Sequence, residues 1–194
     1  MGYKHHKEDI IKAGTEVLHT KGYTATGIND ILQAANVSKG SFYNFFDSKE
    51  SFCIEALDYY GSMNNNMIQS VLEDPNKTAI QKLESFYYEG LLMANKLSHC
   101  KKGCLVNNLS LELGGTIEPI AKKAADLFSQ SVSIIARCIE EGQKQKSIRD
   151  DYSALQLAEF FHSNISGGIA RSKATGDIKY LKSVIDMSMD FIKI

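Results

Sequence analysis

The chain has 194 residues, 43% hydrophobic and 23% charged, with only 2 prolines, a composition that favours packed helices over a β-sandwich. Its 22 Lys and Arg are matched by 23 Asp and Glu, and residues 1–50 carry six Lys against six acids, which excludes binding to nucleic acid by bulk positive charge. A few locally placed cations remain compatible with DNA recognition, because affinity depends on which phosphates are met.

No apolar run approaches the ~20 residues that span a bilayer. The opening Met1-Gly2-Tyr3-Lys4-His5-His6-Lys7-Glu8 has no signal-peptide core. A cytoplasmic protein is expected, with Cys53, Cys100, Cys104 and Cys138 as reduced thiols.

The first predicted helix covers about residues 7–21, with Ile10, Ala13, Val17 and Leu18 on one side and Gly22 as its C-cap. Thr24-Ala25-Thr26-Gly27 is a turn in which Thr26 or Gly27 caps a short second helix. That helix repeats apolar residues at Ile28, Ile31, Leu32 and Ala35 and stops at Asn36-Val37. Ser38 caps the third, and Ser48 caps a long fourth carrying Phe52, Ala56, Leu57, Tyr60, Met63, Met67 and Val71. Two short helices joined tightly and braced by another have helix-turn-helix geometry.

Beyond the break at Pro75-Asn76 the pattern is that of a helical bundle. A fifth helix carries Ile80, Leu83, Tyr87, Leu91 and Ala94, and a short sixth runs from Leu105 to Leu113. Thr116 opens a seventh with Pro119 in its first turn, and Asp150 or Asp151 is expected to cap an eighth. A ninth follows Gly176-Asp177. The expected fold is all-α with about nine helices. A helix-turn-helix DNA-binding domain over 1–48 precedes a ligand-binding and dimerisation bundle over 49–194.

The third helix carries the most information. Phe42 and Phe46, four apart, should pack inward. Lys39, Ser41, Tyr43 and Asn44 are left outward, and Gly40 lets the backbone approach a groove wall. Lys suits a guanine edge or a phosphate, Asn can bond adenine, and the Ser and Tyr hydroxyls suit phosphate or base edges. Lys49, opening the fourth helix, lies where backbone N–H groups also favour a phosphate.

The run Val37-Ser38-Lys39-Gly40-Ser41-Phe42-Tyr43-Asn44-Phe45-Phe46-Asp47-Ser48-Lys49-Glu50 resembles the recognition-helix signature of the tetracycline-repressor family. Gly22-Tyr23, Thr26, Ile28 and Ile31 resemble the family's first turn and second helix. The likeness is specific over the first ~50 residues and extends to the remainder as helical layout. It implies that Thr26, Tyr43 and Lys49 contact phosphate. Lys39, Ser41 and Asn44 would then lie nearest the bases, with Ser38 and Gly40 in the same contact stretch. Gly27 and Phe45 depart from the family pattern, which usually has Ser or Thr at the first and Tyr or His at the second. The arm Lys4-His5-His6-Lys7 either reaches phosphate or is a solvated terminus.

For the bundle, a candidate ligand lining comprises Phe86, Tyr87, Leu91, Met93, Asn107, Asn108, Phe128 and Phe161, each also readable as plain core. The run Lys102-Gly103-Cys104-Leu105-Val106-Asn107-Asn108-Leu109 looks like a motif in a subgroup that includes repressors of electrophile-detoxifying reductases. Cys104, at a helix N-terminus beside Lys101 and Lys102, also lines the candidate pocket. It is a candidate redox or electrophile sensor if its thiolate is favoured, and otherwise an inert buried thiol. His99, Cys100 and Cys104 make only a weak zinc signal, and no metal or cofactor is expected.

Phe161, Ile165, Gly168, Ile169, Leu181, Val184, Ile185, Ser188 and Phe191 are expected to form a homodimer face, or else to close the intramolecular core. The function expected from these features is a ligand-responsive, DNA-binding transcriptional regulator. It would be a homodimeric repressor released from a palindromic operator by a small-molecule or electrophile inducer. The alternatives are a small all-helical enzyme, against which stands the lack of any P-loop, Gly-x-Ser-x-Gly or His-Glu-x-x-His pattern, or a protein-binding adaptor.

Overall fold

A computed structural model describes residues 6–194; Lys4 and His5 of the amino-terminal arm lie outside them. Nine helices follow in chain order among the described residues: α1 Lys7–Lys21, α2 Ile28–Ala35, α3 Lys39–Tyr43, α4 Lys49–Leu72, α5 over 79–97, α6 Leu105–Leu113, α7 Glu118–Lys144, α8 Ala154–Thr175 and α9 Lys179–Ile192. The only β-type pairing among them is an isolated bridge between Ile148 and Lys193.

Compact packing divides the chain into Met1–Met63 with Cys104–Leu127, and Asn64–Gly103 with Phe128–Ile194. The division does not fall at residue 48. The first half of α4 and all of α6 belong with the first three helices.

In the first unit, an aromatic cluster explains how helices as short as α2 and α3 persist. Phe42 and Phe52 are fully buried and Phe46 is 2% exposed, with ring centroids 5.0–5.6 Å apart. Burying each such side chain contributes about 1.5–3 kcal/mol, which offsets the weak intrinsic stability of a five-residue helix. Gly14 allows α1 to come close, since a Cβ there would lie 2.4 Å from Phe52 Cζ and 2.9 Å from Ile31 Cγ2.

Local chemistry sets the helix ends. Gly22, at φ +80°, ends α1. Gly27 rather than Thr26 caps α2: its N–H donates to the Asp30 carboxylate at 2.7 Å, and Asp30 also pairs with Lys21. Asn36 takes the left-handed conformation that ends α2. The Ser38 hydroxyl accepts from Ser41 N–H and caps α3.

The second unit is built on a core that includes Leu83, Tyr87, Ile135, Ile139, Phe161, Ile165, Leu181 and Ile185. Lys82, 4% exposed, pairs with Glu141 at 2.6 Å, so its buried charge is answered. Ser153, not Asp150 or Asp151, caps α8, in a reciprocal pair with Gln156. Asp151 is instead held by the Arg149 guanidinium at 2.5–2.6 Å. Within α5, α-helical ends at Ala79–Glu84 and Met93–Leu97 flank a π-helical stretch Ser85–Leu92. Helical periodicity alone gives no warning of that stretch.

The residues expected at a dimer face line the seam between α8 and α9 within the chain. Phe161, Ile165, Gly168, Ile169, Leu181, Ile185 and Ser188 are all buried, and Gly168 lets Leu181 approach to 3.3 Å from where a Cβ would stand. Of the nine residues only Val184, half-buried, and Phe191, 37% exposed, reach the surface. Their sequence period is that of a buried helix face, which looks the same whether the covering helix comes from the same chain or another.

Candidate nucleic-acid interface

The third helix turns as its pattern requires. Phe42 and Phe46 point into the cluster just described, while Lys39, Gly40, Tyr43 and Asn44 are exposed and Ser41 is half-buried. Tyr43 is 43% exposed and stands edge-on to Phe42 with centroids 5.4 Å apart, so the buried ring supports the outward one. Lys39 Nζ hovers 5.9 Å from the Tyr43 ring. The Ser41 hydroxyl lies 2.9 Å from that of Ser38 and serves the cap as well as the outer face. Phe45, 39% exposed beside Asn44, adds an apolar contact where a hydroxyl or imidazole was the family expectation.

Two of the expected phosphate contacts, Thr26 and Lys49, and Lys7 of the arm have partners inside the unit. Thr26 is 1% exposed and its hydroxyl donates to the Gly22 carbonyl at 2.5 Å, so the side chain closes the α1–α2 turn. Lys49 donates to the carbonyls of Tyr23 at 3.0 Å and Thr26 at 2.9 Å and lies 4.0 Å over the Tyr23 ring. Two of its three N–H donors are thereby engaged inside the unit. Lys7 pairs with Glu55 at 2.6 Å and lies 5.4 Å from the Phe46 ring. Thr26 and Lys49 face the turn and Lys7 faces the aromatic cluster.

Glu112, on α6, had no place in the motif, yet it reaches the same turn. Its carboxylate accepts from Tyr23 N–H at 3.0 Å and Thr24 N–H at 2.6 Å. Partial burial works to raise its pKa, but the hydrogen bonds from Thr24 and Tyr23 and the nearby Lys49 charge hold it below the ordinary 4.5. With Glu112 and Thr24 separated by 88 positions in sequence, no local pattern could have flagged the pair.

The sensor candidates fall in both units. Phe86, Tyr87, Leu91, Phe128 and Phe161 belong to the second, where Tyr87 is 5.4 Å from Phe161 and 4.7 Å from Phe86, and Phe128 stands against His162. Cys104, Asn107 and Asn108 belong to the first. The Tyr87 hydroxyl is buried and has no hydrogen-bond partner.

Cys104 occupies the N-cap position of α6, as its sequence suggests. Burial of its thiol nevertheless raises the pKa and outweighs the Val106 and Asn107 N–H groups and the Tyr60 hydroxyl directed at the sulfur. Lys101 and Lys102 are exposed and do not depress it. Of the two readings of Cys104, the raised pKa favours the inert thiol. The described residues contain no group of three or more His, Cys, Asp or Glu placed to hold a metal ion.

A three-helix start whose third helix shows polar, cationic and aromatic groups outward and aromatic groups inward, followed by an all-helical second part, defines a helix-turn-helix regulator. Residues 10–56 match the family described as bacterial regulatory proteins, tetR family, and residues 79–187 match the tetracyclin repressor-like C-terminal domain. The chain belongs to the tetR family of DNA-binding transcriptional regulators.

It is 33% identical over 167 residues to the HTH-type transcriptional repressor DhaR of Mycobacterium sp. (strain GP1), covering 86% of this chain and 82% of that one. The HTH-type transcriptional repressor NemR of Escherichia coli is 22% identical over 180 residues, 92% of this chain and 89% of that one, and its reduced form superposes with a TM-score of 0.85 over 95% of each chain at 20% identity. The regulatory protein TetR from Rhodobacter sphaeroides superposes with a TM-score of 0.89 at 26% identity, covering 95% of this chain and 97% of that one.

Proposed function

We propose that the chain acts as a homodimeric repressor, binding a two-fold-symmetric operator through the outer face of α3 and leaving it when a small molecule enters the second unit. The observation that carries this reading is the two-faced α3, with Phe42 buried and Tyr43, Lys39 and Asn44 exposed beside it. Tyr43 and Lys39 meet the backbone and base edges, Asn44 and Ser41 lie nearest the bases, and Gly40 admits the groove wall. Ser38 fixes the register by its cap. The name of DhaR supports repression as the direction of control.

For the homodimer, the supporting surface is the solvent side of α8 and α9. Phe160 is 41% exposed and packs on Phe191 at 5.1 Å, Met187 is 71% exposed, and the exposed Ser163, Gly167 and Ala170 continue the same side of α8 as a small-residue strip. Exposed apolar side chains beside small residues suit close packing of a second copy. The inducer site is assigned around Tyr87, because a buried hydroxyl without a partner costs about 1–3 kcal/mol and a ligand group can relieve it. The same residue lies in a π-helical stretch, a conformation found often at functional sites. The Phe86 and Phe161 rings pack against Tyr87, a setting that suits a mainly apolar small molecule with one hydrogen-bonding group.

The test is fluorescence anisotropy with a duplex selected by the wild-type protein from a random-sequence pool. Tight binding that weakens steeply with salt supports the reading, and recovery of no preferred duplex overturns it.

A further inference from the structure

We infer that Glu112 is a positioning residue for DNA binding, holding the α1–α2 turn so that α2 and α3 present one fixed orientation to the duplex. The inference rests on the function proposed above and names a residue outside the recognition motif.

The turn from Gly22 to Gly27 buries Thr26 and half-buries Tyr23 but leaves Thr24 and Ala25 exposed. It must nevertheless set the angle between α1 and α2, and α2 in turn braces α3. Opposite charges tie it in two directions. Glu112 takes the N–H groups of Tyr23 and Thr24, and Lys49 gives protons to the carbonyls of Tyr23 and Thr26. Tyr23 is held at both its backbone groups, and its ring lies under the Lys49 ammonium. Asp30 takes the Gly27 N–H at the far end of the turn, so without Glu112 the Tyr23 and Thr24 N–H groups lose the carboxylate that holds them.

Glu112 itself sits in the last turn of α6, two residues before Gly114. The buried Leu105, Leu109 and Leu113 anchor that helix in the unit. The carboxylate is therefore carried by a rigid element rather than by a loop. Charge-assisted hydrogen bonds have narrow distance and angle requirements, so a shift of α6 by an ångström or so weakens both contacts at once.

The sign of the effect separates positioning from plain electrostatics. Glu112 is an anion on a DNA-binding unit, and if it acted only by its charge, removing it would tighten binding, most at low salt. Positioning requires the opposite.

The experiment compares wild type, Glu112→Ala and Glu112→Gln by anisotropy on the wild-type-selected duplex, at several salt concentrations and well below each variant's melting temperature. Circular dichroism and sedimentation confirm fold and oligomeric state. Loss of two hydrogen bonds to a charged group corresponds to about a tenfold to hundredfold loss of affinity for Glu112→Ala. An unchanged salt slope is expected with it, and Glu112→Gln should fall between the two because its amide oxygen still accepts. Unchanged or tighter binding by both folded variants overturns the inference while leaving the function standing. Failure of the wild type to select any duplex overturns both.

Discussion

Tyr43, Lys39 and Asn44 stand outward because Phe42 and Phe46 stand inward, and single substitutions on the two faces should therefore fail differently. Tyr43→Ala leaves the aromatic cluster intact and is expected to weaken DNA binding by about 1–3 kcal/mol with little change in melting temperature. Lys39→Ala should lower the magnitude of the salt slope by about one if its ammonium meets a phosphate. Lys49 provides the contrast. Since its ammonium is engaged at the Tyr23 and Thr26 carbonyls, Lys49→Met should reduce stability and affinity while leaving the salt slope unchanged. A slope reduced by one would return it to the phosphate contacts.

The thiols make a residue-scale prediction of their own. Burial pushes Cys53 and Cys138 up to about 12 and also raises Cys100 and Cys104. A raised thiol pKa keeps the neutral, unreactive form present at neutral pH, and reactivity appears only as pH climbs toward the folded value. Alkylation by iodoacetamide at pH 7 should be slower in the folded protein than in urea at all four positions. Fast labelling of Cys104 in the folded protein would restore it as an electrophile sensor.

At the scale of elements, most helices were legible because an apolar period of 3.6 and a cap are local properties. Ser38, Ser48 and Gly176 mark ends that the structure also has, and Phe42 with Phe46 gave the orientation of α3. The α8 cap falls at Ser153 rather than Asp150 or Asp151, because Gln156 completes a reciprocal pair with it, and Thr26 and Lys49, phosphate contacts by the family resemblance, also have partners within the unit. Glu112 and the π-helical stretch of α5 carry no periodic signal at all. The packing behind α3 can be tested directly: Phe42→Ala should cost about 3–5 kcal/mol, read as a lowered urea midpoint, because it empties the centre of the Phe42, Phe46 and Phe52 cluster. A change below ~1 kcal/mol would mean that the cluster does not hold α3.

At the scale of the whole molecule, the sequence could show that α8 and α9 each have an apolar face but not that those faces meet each other. The buried stripe closes the core within the chain, and the proposed dimer surface keeps Phe191 and adds the exposed Phe160 and Met187. Phe160→Asp combined with Phe191→Asp is expected to give a monomer in sedimentation at micromolar concentration, with helical content retained, because paired charges cannot be buried there without partners. A dimer that survives both changes would place the interface elsewhere. The monomer should also lose most operator affinity, since a single α3 contacts one half-site only.

The most direct measurement is the affinity of the Lys39→Ala, Tyr43→Ala, Asn44→Ala triple variant for the wild-type-selected duplex, alongside its melting curve and sedimentation coefficient. Loss of at least a hundredfold in affinity, with folding and assembly unchanged, is predicted from three exposed contacts each contributing about 1 kcal/mol or more. Wild-type affinity in a folded triple variant would contradict the assignment of α3 as the element that meets DNA.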